Sequence, residues 1–133
     1  MIKRILIVDD NQYVADASAR LISICGYETK VAYGGLEAIQ QVEFFAPQMV
    51  LMDIGMPDLD GYQTAATIRR DHAQVDILLI AVTCWADETD KQRALESGFD
   101  LHVAKPVGLS TLYGLLALLH EKHARTNVAC LRS

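Results

Sequence analysis

Four short, largely apolar runs each end in a polar residue capable of chemistry, and that repeated layout restricts the chain to few folds. Ile5-Leu6-Ile7-Val8 leads into Asp9-Asp10, and Met49-Val50-Leu51-Met52 leads into Asp53. Residues 77–82 lead into Thr83, and residues 101–104 into Lys105. Short apolar runs bounded by polar or turn residues read as strands, buried on both faces when they lie inside a parallel sheet. If these four are parallel strands of one sheet, their polar ends emerge together at the edge where open α/β sheets bind ligands.

The segments between the runs carry the helical period. Val14, Ala17, Leu21 and Ile24 recur at three- and four-residue steps, with Asn11 placed as a cap and Gly26 as a stop. Residues 27–32 alternate in part, as an edge strand does. Gly34-Gly35 then opens a helix with Leu36, Ile39, Val42 and Phe45 on one side, closed before Pro47. The loop 55–61 precedes a helix through Tyr62, Ala65, Ala66 and Ile68. A polar helix over about 86–97 ends at Gly98, and Leu112, Leu115, Leu116 and Leu119 mark the last helix. Five strand–helix alternations imply a doubly wound α/β fold with right-handed crossovers. The order 2-1-3-4-5 puts the two least apolar strands at the edges and brings the four polar ends together.

Composition narrows the function. At 133 residues the chain holds one core, and we expect a single domain over residues 1–122 followed by a flexible tail over 123–133. Seventeen acidic against twelve basic residues give a net charge of -5, with Lys and Arg scattered, which disfavours direct nucleic-acid binding. No stretch reaches the roughly 20 apolar residues of a membrane span, and residues 1–4 lack the features of a signal peptide, so a cytoplasmic location is expected. Cys25, Cys84 and Cys130 show no metal-ligand or CxxC spacing and read as reduced thiols.

Three carboxylates in one pocket repel one another unless a cation joins them. A hard divalent ion such as Mg²⁺, or Mn²⁺ in its place, resolves the conflict. It takes oxygen ligands and commonly combines one or two carboxylates with water and a phosphate oxygen. Asp10, Asp53, a backbone carbonyl near Gly55 and water held by Asp9 supply such a shell. With that charge in place a carboxylate oxygen of Asp53 can attack phosphorus. The Thr83 hydroxyl and the Lys105 ammonium can then receive the phosphoryl oxygens.

With these residues in view the chain resembles a response regulator receiver domain of two-component signalling over about residues 2–122. The matching elements are residues 5–10, the stretch Met52-Asp53-Ile54-Gly55-Met56-Pro57-Asp58-Leu59-Asp60-Gly61, Ala81-Val82-Thr83, and Lys105-Pro106. The resemblance implies a flavodoxin-like (βα)5 sheet, Asp53 as phosphoacceptor, Asp9 and Asp10 as metal-site acids, and Thr83 and Lys105 as phosphoryl ligands. It implies a cis peptide at Lys105-Pro106 that aims the lysine. The implied donor is a phosphohistidine on a sensor histidine kinase or a histidine phosphotransfer protein. The implied output is a downstream protein bound through the fourth helix, fifth strand and fifth helix, with the domain a monomer or weak dimer. Since 28 residues follow Lys105, we expect no output domain within the chain.

Four positions depart from the family pattern or tune it. His102 stands three residues before Lys105, where the family usually carries a Tyr or Phe switch; an imidazole is smaller and titratable, so weaker or pH-dependent coupling is expected. Gly55 offers no side chain near the phosphoacceptor, whereas Trp85, two residues after Thr83, is large, and the pair is expected to set the acyl-phosphate lifetime. Cys84 satisfies a need for a small residue at the mouth. Two other functions compete with the receiver reading. A Mg²⁺-dependent phosphatase with an aspartyl nucleophile would want a second aspartate where Gly55 stands. A phosphorylation-independent, receiver-like interaction module would not need the intact set of Asp9, Asp10, Asp53, Thr83 and Lys105.

Overall fold

In a computed structural model, which describes residues 3–84 and 88–128 with side chains as far as His120, five strands and five helices alternate along the chain. They are β1 (Arg4–Val8), α1 (Gln12–Ile24), β2 (Glu28–Ala32), α2 (Gly35–Phe45), β3 (Met49–Asp53), α3 (Gly61–Asp71), β4 (Leu78–Thr83), α4 (Glu88–Glu96), β5 (Leu101–Ala104) and α5 (Leu109–Val128). All strand pairs are parallel, in the expected order β2-β1-β3-β4-β5, with the two least apolar strands at the edges. β3 and β4 are buried along their whole length, whereas β2 alternates and β5 is half-buried, as edge strands are.

The sheet separates two apolar layers by the two-residue period of its strands. Leu6, Val8, Val50, Met52, Leu79 and Ala81 pack with residues of α2, α3 and α4. Ile5, Ile7, Met49, Leu51 and Ile80 face the other way, against Ala15, Ala19 and Ile22 of α1 and the leucine stripe of α5. Arg93 of α4 lies 4.1 Å over the ring of Tyr62 in α3. Among the described residues, no helix is long and apolar enough to cross a membrane.

The edge away from the strand C-termini is held by two arginines. Arg69 donates from Nε to Gly98 O, from Nη1 to Ile77 O and from Nη2 to Asp100 Oδ2, so α3 is fastened to the starts of β4 and β5. Arg4 Nε donates to the carbonyls of Phe45 and Ala46 at the end of α2.

Element ends differ from the periodicity in places. Ile77 is buried, but its carbonyl serves Arg69, and the β4 ladder instead runs on to Thr83, opposite Ala104. α5 continues past residue 122, the expected end of the domain, because no Gly or Pro interrupts residues 115–133 and the strong helix formers Glu121, Lys122, Ala124 and Arg125 favour its continuation. Of the expected 123–133 tail, residues 129–133, with Cys130, lie outside the described residues. Gly26 and Gly98 take the left-handed backbone that stops α1 and α4.

α2 stops differently: its cap is Ala46, at φ 50° and ψ 60°. The left-handed conformation costs an L residue about 1–2 kcal/mol, and glycine's extra chain entropy offsets about half of that. Ala46→Gly is therefore expected to stabilise the fold by about 0.5–1 kcal/mol in urea denaturation; a loss of stability would contradict this account of the helix end.

Candidate functional site

At the C-terminal edge of the sheet the neighbouring ends of β1 and β3 and the residue after β5 converge. Asp9 follows β1 and Asp53 ends β3; both are 6% exposed, while Asp10 is open to solvent. One carboxylate oxygen from each of the three lies within 4.8 Å of the others. Lys105 Nζ stands 2.9 Å from Asp53 Oδ1 and 3.9 Å from Asp9 Oδ2. The Lys105–Pro106 peptide is cis, as the resemblance implies.

Local backbone places these groups. Asn11 caps α1 by accepting from Tyr13 N and Val14 N, and its own N–H donates to Asp9 Oδ1 at 2.9 Å. Asp9 N donates to Ala32 O, which extends the β1–β2 ladder up to the acidic pair. Gly55 N donates to Asp53 Oδ1 at 3.3 Å. The chain then turns over Ile54, whose carbonyl accepts from Met56 N and Gly61 N. A Cβ on Gly61 would stand 2.8 Å from Ile54 Cα, so this close return requires glycine. Asp60 opens α3 with a reciprocal capping box to Gln63.

Thr83 is 8% exposed at the end of β4, beside β3, and its carbonyl accepts from Lys105 N. His102 is half-buried on β5 opposite Ala81, two residues before the Thr83–Ala104 pair. Cys84 and Pro106 are exposed next to the site. Trp85 lies outside the described residues.

Electrostatically the site is short of positive charge. Burial raises the Asp9 carboxyl above the ordinary carboxylate range; the Asn11 N–H opposes this and the Asp53 charge adds to it. Burial alone would lower the Lys105 ammonium, but the Asp53 hydrogen bond and the Asp53 and Asp9 charges outweigh it and the net shift is upward. Three acceptor-only carboxylates clustered this closely, with one ammonium to offset them, fit a hard divalent cation.

One contact was not legible as part of the site. Asp58, which reads in sequence only as a loop residue, reaches α2: its Oδ1 accepts from Gly35 N and its Oδ2 from Leu36 N, both at 3.3 Å. The only advance signal was an acidic residue after Pro57 together with the Gly34-Gly35 pair.

Residues 5–117 match the response regulator receiver domain family. The chain is 35% identical over 122 residues to the sensor histidine kinase RcsC of Salmonella typhimurium, covering 92% of this chain but 13% of that protein. It is 32% identical over 109 residues to the polar-differentiation response regulator DivK of Brucella ovis, covering 82% of this chain and 89% of DivK. A crystal structure of a CheY-like receiver domain protein from Methanospirillum hungatei superposes with a TM-score of 0.85 at 27% identity, over 94% of this chain and 99% of that one.

The raised Asp9 carboxyl gives a signed expectation. Between its unfolded and its higher folded pKa, folding takes up a proton; above both values the full penalty of the buried charge is present, and below both it is absent. In EDTA, Asp9→Asn should therefore raise Tm at pH 7, with the gain shrinking as pH falls through the carboxylate range. A lower Tm for the variant at pH 7 would contradict this.

Proposed function

The chain belongs to the response regulator receiver family, and on that premise we propose that it accepts a phosphoryl group on Asp53 from a phosphohistidine donor and signals by altering a partner-binding face. The observation that carries the reading is the buried Asp53 carboxylate, in contact with Lys105 and grouped with Asp9 and Asp10. An ionised carboxylate needs no general base, and a buried one is shielded from water competing for the phosphoryl group.

In the proposed reaction an Asp53 oxygen attacks phosphorus while the bond from phosphorus to the donor imidazole nitrogen breaks. The electron pair leaves with that nitrogen, which becomes a neutral imidazole after proton exchange with solvent. Lys105 exchanges its Asp53 contact for a phosphoryl oxygen, and the Thr83 hydroxyl donates to another, so charge spread over the transferring group is matched on two sides. Mg²⁺ or Mn²⁺, held by Asp10, Asp53, the Gly55 carbonyl and water on Asp9, would offset the carboxylate charge facing the incoming phosphoryl group.

Two features bear on partners. RcsC is a sensor histidine kinase by name, which supports a phosphohistidine donor, on a kinase or a phosphotransfer protein. Tyr13 is 89% exposed and Val14 47% exposed at the start of α1, an apolar surface beside the mouth on which such a donor can rest. For output, His102 lies on the same strand face as Ala104, beside Thr83, where a change in the threonine can reach it. We assign it the switch position, acting through α4, β5 and α5. Gly55 and Trp85 are assigned the control of acyl-phosphate lifetime, with Cys84 as the small neighbour that leaves the mouth open.

Incubation with acetyl phosphate and Mg²⁺, read by intact mass, should add one phosphoryl group that is lost in Asp53→Ala and in EDTA. No addition, from this donor or from phosphoramidate, would favour the phosphorylation-independent interaction module. In the same assay, after donor removal, Trp85→Ala should lose its phosphoryl group faster than the wild type; an equal or slower loss would remove the shielding role.

A further inference from the structure

The segment 54–60 carries Gly55, yet residue 55 has little to hold it. Nothing lies within 4 Å of where its Cβ would be, and its N–H makes one 3.3 Å bond, to Asp53 Oδ1. The anchors lie on either side. Met56 is 6% exposed and packed into the core, and Ile54 O receives the N–H groups of Met56 and Gly61. Asp58 supplies a link outside the loop, to α2. The N-cap residue of that helix is Gly34, which has no side chain to cap it, so the carboxylate of Asp58 serves as the cap from a distance in sequence. The N–H groups of Leu59, Leu36 and Gly35 hold the Asp58 carboxyl below the ordinary carboxylate range, so it is ionised wherever the site functions.

The approach depends on Gly34. A Cβ there would stand 2.9 Å from Asp58 Oδ2 and 3.3 Å from its Cγ, although the backbone at φ -170° is open to any residue. α2 is a firm post for the loop: its Glu37 accepts from Tyr33 N at 2.7 Å, and its Ala38, Val42 and Phe45 are buried.

We propose that Asp58 is a positioning residue for the divalent-cation site, fastening loop 54–60 to the N-terminus of α2 and so fixing the segment that presents the Gly55 carbonyl. The inference rests on the reading of Asp10, Asp53 and Gly55 as cation ligands. Asp58 touches neither cation nor phosphoryl group in this account. Its loss should therefore weaken cation affinity and leave the chemistry at saturating cation close to that of the wild type.

The test is Mg²⁺ titration of the full chain, read by the rise in Tm and, separately, by the initial rate of labelling with acetyl phosphate. Asp58→Ala should raise the half-saturating Mg²⁺ concentration by about three- to tenfold, at or below the low end of the effect of outer-shell partners on metal affinity. Asp58→Asn, which keeps an acceptor oxygen, should shift it less. Gly34→Ala, which displaces the carboxylate without removing it, should shift it in the same direction and serves if Asp58→Ala does not fold. A lower Tm in EDTA with unchanged half-saturation would make Asp58 a helix cap only and overturn the proposal. A wild type with neither a Mg²⁺-dependent rise in Tm nor labelling would overturn the underlying site reading, and this inference with it.

Discussion

Everything at the working edge of this molecule depends on holding like charges together. Two unit charges 4 Å apart at an effective dielectric of about 20 interact by about 4 kcal/mol, against a total stability of about 5–15 kcal/mol for a typical domain. Asp9, Asp10 and Asp53 gather within such a range, and Lys105, closer to Asp53 than to Asp9, offsets only part of the repulsion. A charge cluster of this kind persists because rigid surroundings over-determine it. Its members sit at or just after the ends of β1 and β3, whose side chains are almost wholly buried between two helical layers.

The division of labour follows from that constraint. The sheet edge far from the cluster is tied down by Arg69 and Arg4, each bonding backbone carbonyls from more than one residue. The near edge is organised by helix caps, two of them local, Asn11 on α1 and Asp60 on α3, and one reaching across the fold, Asp58 on α2. Each cap joins a loop that carries or flanks a polar site residue to a helix N-terminus, where the peptide dipoles favour negative charge. The same backbone groups that start the helices therefore set the geometry of the acidic cluster.

Much of this was legible in sequence because it is written in local terms. The purely apolar residues 49–52, the weaker periodicity of 27–32 and the glycines at 26 and 98 carry their own structural meaning, and the order 2-1-3-4-5 is the one that puts the two least apolar runs at the edges. What was not legible, the derivation of the strand order included, depends on partners distant in the chain. Ala46 in a left-handed cap is possible because Arg4 satisfies the carbonyls around it, which no pattern at residues 35–47 records. Thr83 joins the β4 ladder because β5 lies beside it. Tyr27 lies just before β2 and bonds through its hydroxyl to His120, 93 residues away. Asp58 belongs to the same class: its contact with Gly35 and Leu36 is tertiary, and its sequence neighbourhood reads only as a turn.

The central claim is that the phosphoryl group resides on the carboxylate of Asp53. Borohydride reduces an aspartyl phosphate to homoserine, so protein labelled with acetyl phosphate and Mg²⁺ can be trapped and its peptides read by mass spectrometry. The account predicts homoserine at position 53, with Asp9 and Asp10 unchanged. Homoserine at either of those positions, or a phosphoryl group that survives reduction on another side chain, would contradict it.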